Sequence, residues 1–365
     1  MYKVINIVGA RPNYMKVAPI HNAMIVSHKI RPLLVHTGQH YDARMSDVFF
    51  DDLGLPEPDV FLGVGSGSHA EQTAKIMVGF EKIILEEKPD AVLVVGDVNS
   101  TIACAMVAVK MGIKVVHVEA GLRSFDRTMP EEINRLMTDV ICDYLYVSEE
   151  SGLVNLRHEG VAENKIIHVG NCMIDSLITN LPKARDRKIL TDLNLKGQDF
   201  ILSTIHRPAN VDSESKSAII VETLLELANK IKIVLPLHPR SRKNLMNFGL
   251  FDSIAQNKNI ILIEPAGYLD FVCLMYHSKL LLTDSGGIQE ETTYLGKPCL
   301  TLRESTERPS TVTEGTNIMI PQLDKQVIIG HVNDILNGKI KQGRIPKFWD
   351  GHTAERIVEH LSAVL

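Results

Sequence analysis

The chain has 365 residues, too many for one ordinary core and about right for two domains. Hydrophobic residues make up 45% and charged residues 23%, the balance of a folded globular protein. A net charge of −5 excludes a protein-wide basic surface for nucleic acid or anionic membrane, so any site for a polyanion must be local.

In chain order, "KVINIV" starts a strand almost at once, without the layout of a signal peptide. No apolar run approaches the roughly 18 residues needed to span a bilayer, and no membrane partner is expected. Strands are predicted near 3–8, 33–37, 91–95, 114–118, 144–147 and 166–169. A second series follows near 200–204, 232–236, 260–263, 280–283 and 299–302. Most are continuous apolar runs, as strands buried on both faces of a parallel sheet require. Helical patterns such as "STIACAMVAVKMG" and "AIIVETLLELANKI" lie between them. The expected fold is therefore α/β: two Rossmann-like, doubly wound parallel-sheet domains.

The charged stretch 180–199 places the junction just before it, dividing the chain into 1–175 and 176–351. The tail, 352–365, is an amphipathic helix whose pattern alone does not assign it to either domain. Five cysteines, at 104, 142, 172, 273 and 299, form no CxxC pair. They read as reduced thiols of a cytoplasmic protein, with Cys172 in a loop-like stretch.

Polar clusters follow the strands: "GARPN", "TGQH", "GDVNST" and "EAGLRS", then "HRPAN", "LHPR", "EPAGY", "TDSGG" and "RESTERP". Ligands of open α/β sheets bind outside the carboxyl ends of the strands. Clusters at that edge in both halves imply two facing edges and an interdomain cleft.

Individual motifs narrow the chemistry. In "GARPNYMK", Arg11 at a helix start and Lys16 a turn later either meet a diphosphate or are simply solvated. "GVGSGSH", 63–69, lacks both GxGxxG spacing and a helix-opening context, so it reads as an exposed loop, and no nicotinamide cofactor is expected. Asp97 and Glu119 end strands, while Glu131 and Glu132 follow Pro130 in a first helical turn. Carboxylates crowded at one site suit acid–base work, because crowding and burial separate their pKa values. His206 and His238 end strands of the second half; without a thiol or carboxylate set they make a poor metal site, and a role as general acid or phosphate donor is favoured. "RESTERP" sets Arg303 and Arg308 around two glutamates, either as a surface ion-pair cluster or in the cleft. In "TDSGGIQEE", Ser285, Gly286 and Gly287 offer donors to a diphosphate. Glu290 and Glu291, a turn further on, are placed to accept ribose hydroxyls, with Asp284 as a brace.

Taken together, "GARPNYMKVAP", "TGQH", "GDVNST", "HVEAGLRS", "PEEINR", "HRPAN", "TDSGGIQEE" and "GKPCLTLRESTERP" resemble, in order and spacing, the non-hydrolysing UDP-N-acetylglucosamine 2-epimerases. The resemblance runs nearly end to end. It implies the glycosyltransferase-B arrangement, return of the C-terminal helix to the first domain, a homodimer and no cofactor. It implies catalytic roles for Asp97, Glu119, Glu131 and His206, with Arg11 and Lys16 at the phosphates. It assigns UDP to Ser285, Gly286, Gly287, Glu291 and Arg308, with His238 nearby. Some members carry an allosteric UDP-sugar site matched here by Gln39 and His40, but they place an arginine where this chain has Glu71 before Gln72. A second departure is Ala209, where the family often has glutamate. The implied reaction is reversible C2 epimerisation of UDP-N-acetylglucosamine to UDP-N-acetylmannosamine. Alternatives are a C2 epimerase of UDP-2,3-diacetamido-2,3-dideoxy-glucuronate, a UDP-sugar transferase, a hydrolysing epimerase and a non-catalytic sensor.

Overall fold

The computed structural model describes residues 1–39, 54 and 56–365. They form two units, Met1–Thr179 with Lys347–Leu365, and Asn180–Pro346. The boundary falls within the helix Cys172–Arg185, so the stretch around Cys172 is a helix start rather than a loop.

In the first unit the strands are β1 (Tyr2–Val8), β2 (Ile30–His36), β3 (Val60–Phe61), β4 (Ala91–Val95), β5 (Lys114–Ala120), β6 (Tyr144–Val147) and β7 (Ile166–His168). They pair in parallel in the order β3-β2-β1-β4-β5-β6-β7. The central strand β4 is buried along its whole length, which is why its sequence, "AVLVV", shows no alternation. Strand order reverses between β1 and β4, so the loops "GARPN" and "GDVNST" flank the switch point where such sheets bind ligands. The helix Thr353–Val364 packs on the helix Arg11–Ser27 through a buried stripe that includes Ile357, Val358 and Leu361. Trp349 anchors the approach to it, its indole N–H donating to Ser148 O at 2.9 Å.

The second unit contains β8 (Phe200–Thr204), β9 (Lys232–Pro236), β10 (Ile260–Ile263), β11 (Leu280–Thr283), β12 (Cys299–Thr301) and β13 (Asn317–Met319). Their order is β10-β9-β8-β11-β12-β13, again all parallel. The reversal lies between β8 and β11, the strands that carry "HRPAN" and "TDSGG". Across it the Thr204 and Thr283 hydroxyls hydrogen-bond at 2.7 Å.

Two strands, β3 and β13, were absent from the sequence expectation. Both are edge strands of two or three residues, too short for a periodicity signal. "GVGSGSH" also departs from expectation: it does open a helix, His69–Glu87. Ser68 caps that helix, and Glu71 closes a reciprocal capping box, accepting from Ser68 N at 3.1 Å. Glu71 therefore has a local structural task at the position where the family resemblance calls for arginine. Among the described residues no helix is long and apolar enough to cross a membrane.

Candidate active site

In the first unit the site grows from the ends of β1, β4 and β5. The helix Arg11–Ser27 opens directly after β1; Arg11 provides its first residue, and its side chain lies outside the described atoms. Lys16, one and a half turns on, is 7% exposed, and its ammonium donates to the Glu119 carboxylate. Glu119 is itself 7% exposed and has φ +73°, a left-handed conformation rare for glutamate. Register with β6 slips between Val118 and Ala120, so Glu119 is the bulged residue of β5. The bulge takes it out of the ladder and re-aims its side chain towards Lys16.

Gly96, at φ +69°, lies under this pair: a β-carbon there would be 3.4 Å from both Glu119 Oε2 and Lys16 Nζ. The next residue, Asp97, is partly exposed and forms an ion pair with Arg135. Arg135 in turn grips Glu132 at 2.7 Å. Glu132 is fully engaged, accepting from Ser124 N, Ser124 Oγ and Phe125 N at 3.0, 3.0 and 2.9 Å. Burial would raise its pKa, but these donors and Arg135 outweigh burial and hold it low. Its neighbour Glu131 is exposed on the first turn of the helix Pro130–Ile141. The pair "EE" thus divides into a structural carboxylate and a solvent-facing one.

Gln39 is buried and accepts from Ser100 N at 3.0 Å and Ser100 Oγ at 2.7 Å, at the start of the helix that follows Asp97. Gln72 accepts from Asn99 Nδ2 at 2.9 Å and donates to Gln39 O at 3.2 Å. His40 lies outside the described residues.

In the second unit Asp284, wholly buried after β11, organises the loop after β8. It accepts from His206 N, Arg207 N and Asn210 Nδ2 at 3.1, 2.9 and 3.0 Å, and meets His206 Nδ1 at 3.1 Å. Burial opposes its charge, but the bonds from His206, Asn210 and Arg207 overcome burial and keep its pKa low. Asn210 also donates to Leu302 O at 3.1 Å, whereas Ala209 faces solvent. His238 caps the helix Pro239–Asn247, its Nδ1 accepting from Arg240 N at 3.2 Å. Its pKa is lowered by burial, by His206 and by Arg240, so it is neutral near pH 7.

The helix Gly286–Tyr294 begins at Ser285, and its first N–H groups carry the positive end of the helix dipole. A β-carbon on Gly286 would sit 2.8 Å from Arg308 Nη1, so glycine lets that guanidinium close on the helix tip. Arg303, Glu307 and Arg308 are all buried, which removes the surface-cluster reading of "RESTERP". Glu307 pairs with Arg303 at 2.7 Å and with Arg308, and Arg207 stands 3.9 Å away. Burial raises its pKa less than the Arg308 and Arg303 charges lower it, so it stays ionised.

Glu290 departs from its expected ribose role: it pairs with Arg308 Nε at 3.0 Å. Adjacent helical residues point about 100° apart, so Glu291 faces elsewhere and accepts from the Tyr268 hydroxyl at 3.2 Å. Burial pushes the Glu291 pKa up to about 8, against the lowering bond from Tyr268.

The structure thus gathers Lys16, Asp97 and Glu119 in one unit, and His206, Ser285, Gly286, Gly287 and Arg308 around Asp284 and Glu307 in the other. Arg135, Glu307 and Tyr268 were not singled out from sequence. Arg135 left a signal, lying three and four residues after the "EE" pair, and so did Glu307, one of the two glutamates that "RESTERP" sets between arginines. All five cysteines are free and buried, and burial raises the Cys172 thiol well above its usual range, so it is inert. Among the described residues no group of three His, Cys, Asp or Glu is placed to hold a metal.

A family model described as UDP-N-acetylglucosamine 2-epimerase matches residues 13–362. The UDP-N-acetylglucosamine 2-epimerase of Methanocaldococcus jannaschii is 45% identical over 98% of both chains. A crystal structure of the enzyme from that organism, in complex with UDP-GlcNAc and UDP, superposes with a TM-score of 0.91, 44% identity and 99% coverage of each chain. The UDP-2,3-diacetamido-2,3-dideoxy-D-glucuronate 2-epimerase of Pseudomonas aeruginosa is 39% identical over 99% of both chains.

Proposed function

The chain belongs to the UDP-N-acetylglucosamine 2-epimerase family, and from that membership we propose how its own residues interconvert UDP-N-acetylglucosamine and UDP-N-acetylmannosamine. The enzyme is an isomerase acting at C2 of the sugar. The C2 hydrogen has no neighbouring carbonyl and is not acidic in the ground state. Departure of UDP from C1 develops oxocarbenium character beside C2 and acidifies that hydrogen. A carboxylate removes it to give 2-acetamidoglucal; return of a proton to the opposite face and re-addition of UDP complete the inversion.

The observation that carries the residue assignment is Glu119, forced into a left-handed bulge against Lys16 beside Asp97. Strain of this kind is kept where function requires it. Glu119 and Asp97 take the C2 proton steps, and Glu131, exposed at its helix start, assists them. Lys16 keeps Glu119 ionised and ready to accept a proton. In the second unit, the N–H groups after Ser285, with Arg308 and His206, stabilise the departing diphosphate. Glu291 takes the ribose hydroxyls. Gln39 remains a candidate for effector binding, because its side chain is tied to Ser100, three residues from Asp97. We also place the enzyme in the cytoplasm as a homodimer, supplying activated N-acetylmannosamine derivatives for surface polysaccharide or glycoprotein glycans; the five free cysteines support the compartment.

Proton NMR in D₂O tests the proposal. Deuterium entering C2 of UDP-N-acetylglucosamine as UDP-N-acetylmannosamine accumulates is the expected result. Free UDP with a free sugar would indicate hydrolysis instead. Exchange confined to the diacetamido-glucuronate would transfer the substrate to that of the 39% identical relative.

A further inference from the structure

Beneath the Lys16–Glu119 pair lies a buried polar chain that takes no part in the reaction as described. His117, on β5 two residues before Glu119, is completely buried. Its Nδ1 is 2.6 Å from Asp139 Oδ1, and its Nε2 is 2.8 Å from Gly96 O. Asp139, on the helix Pro130–Ile141, uses its other oxygen to accept from Gly121 N at 3.0 Å and to pair with Arg123 at 2.7 Å. Arg123 is held in turn by a two-pronged bond to Glu159, at 2.8 and 2.7 Å.

Two geometric consequences follow. First, Asp139 holds the chain on both sides of Glu119, through His117 two residues before it and Gly121 two residues after. A left-handed glutamate at a bulge persists only where the surroundings over-determine it, and this carboxylate supplies that constraint. Second, His117 Nε2 donates to the carbonyl of Gly96, the residue that lies beneath the Glu119 and Lys16 head groups and precedes Asp97. One imidazole therefore spans the two strand ends that carry the two carboxylates. The Gly96 carbonyl can only accept, so Nε2 carries a hydrogen, and Nδ1 faces the Asp139 carboxylate. Arg123 pairs with both Asp139 and Glu159 within the chain.

We infer that His117 is a positioning residue for the epimerisation, setting the distance between Glu119 and Asp97 through Asp139 on one side and the Gly96 carbonyl on the other. The inference rests on the epimerase reading. A misplacement of about 1 Å at reacting groups costs about 10²-fold in rate.

The test separates the two ring nitrogens. His117→Gln carries an amide that reaches the position of Nε2 and keeps a donor to Gly96. His117→Asn reaches only the position of Nδ1, and His117→Ala reaches neither. We expect Asn and Ala to lower kcat for C2 exchange about 10²-fold, with KM and the Kd for UDP unchanged, and Gln to recover at least part of that loss. Fluorescence of Trp349, which is buried in the same unit, reports whether each variant is folded. Folded Ala with wild-type kcat, or Gln no better than Ala, overturns the inference while leaving the reaction in place. Nitrogen-15 spectra of histidine-labelled wild-type enzyme provide a check that no folding defect can obscure. Hydrogen on His117 Nε2, the nitrogen that faces the Gly96 carbonyl, is expected, and a bare Nε2 overturns the arrangement. If the wild type shows no C2 exchange, the epimerase reading fails, and the same spectra still decide the His117 geometry.

Discussion

Glu119 in the first unit and Glu291 in the second are both buried glutamates, yet they are built to carry different charge. Glu119 faces Lys16, a cation of its own, across a strained bulge. Glu291 faces a phenol, with another carboxylate, Glu290, as its helical neighbour, and its pKa is pushed up to about 8. Burial costs any carboxylate its hydration; a dedicated cation, or several donated hydrogen bonds as at Asp284, restores the charged form. Within the second unit the same lesson is repeated one residue apart. Glu290 has Arg308 as a partner and Glu291 has no such cation among the described residues, so a shift of one helical position decides which side chain is an ion-pair partner and which holds a proton near neutrality.

The largest expected effect comes from breaking the charged member. Glu119→Gln leaves Lys16 buried without its counter-charge and removes a group assigned to proton transfer. C2 deuterium exchange should fall about 10²–10⁴-fold while UDP, which we assign to the other unit, binds as before. Undiminished exchange at normal UDP affinity would take Glu119 out of the proton steps.

Next is Arg308→Met, which strips the cation from Glu290 and Glu307 together. Breaking a buried pair from one side costs about 3–5 kcal/mol, because the remaining charge stays buried. The second unit should melt earlier and UDP affinity should fall, and adding Glu290→Gln should restore part of the stability. A single variant as stable as the parent would mean that these carboxylates are solvated.

Most of this architecture was legible because it rests on local regularities. Buried parallel strands such as β4 and β11 are unbroken apolar runs, and the polar loops that follow them mark the ligand edge. What was hidden depends on relations that a linear pattern does not carry. The apolar run through "VVHVEA" does not disclose that Glu119 adopts positive φ, since a bulge preserves composition and changes only register. "QEE" gives no sign of which glutamate Arg308 will reach, because the partner lies well downstream in the chain and its approach depends on Gly286 lacking a side chain. The strands β3 and β13 exist only through pairing with a neighbour.

The uncharged member can be tested through pH. A carboxyl whose folded pKa exceeds its unfolded value binds its proton more tightly in the native state. Its contribution to stability is therefore fully present below the ordinary 4.5 and is lost as pH rises through about 8. Glutamine copies the protonated carboxyl in shape and neutrality. Glu291→Gln should accordingly match the wild type below about pH 4.5 and lose stability less steeply than it between pH 6 and 8. Parallel melting curves over that range would show that Glu291 is already ionised at pH 6, and the contrast with Glu119 would disappear.

The smallest change, Tyr268→Phe, sharpens the same contrast because it removes only a hydroxyl. The lost bond costs about 1 kcal/mol, the usual net worth of a neutral intramolecular hydrogen bond. Its more informative consequence has a definite sign. The Tyr268 hydroxyl donates to Glu291, which favours the carboxylate and opposes the effect of burial. Without it, burial and Glu290 act alone and the Glu291 pKa rises further. The stability lost with rising pH should then move to higher pH than in the wild type. A shift to lower pH would mean that water enters where the hydroxyl was and solvates the carboxylate, in which case the close fit of the intact tyrosine, rather than the hydrogen bond it donates, keeps Glu291 protonated.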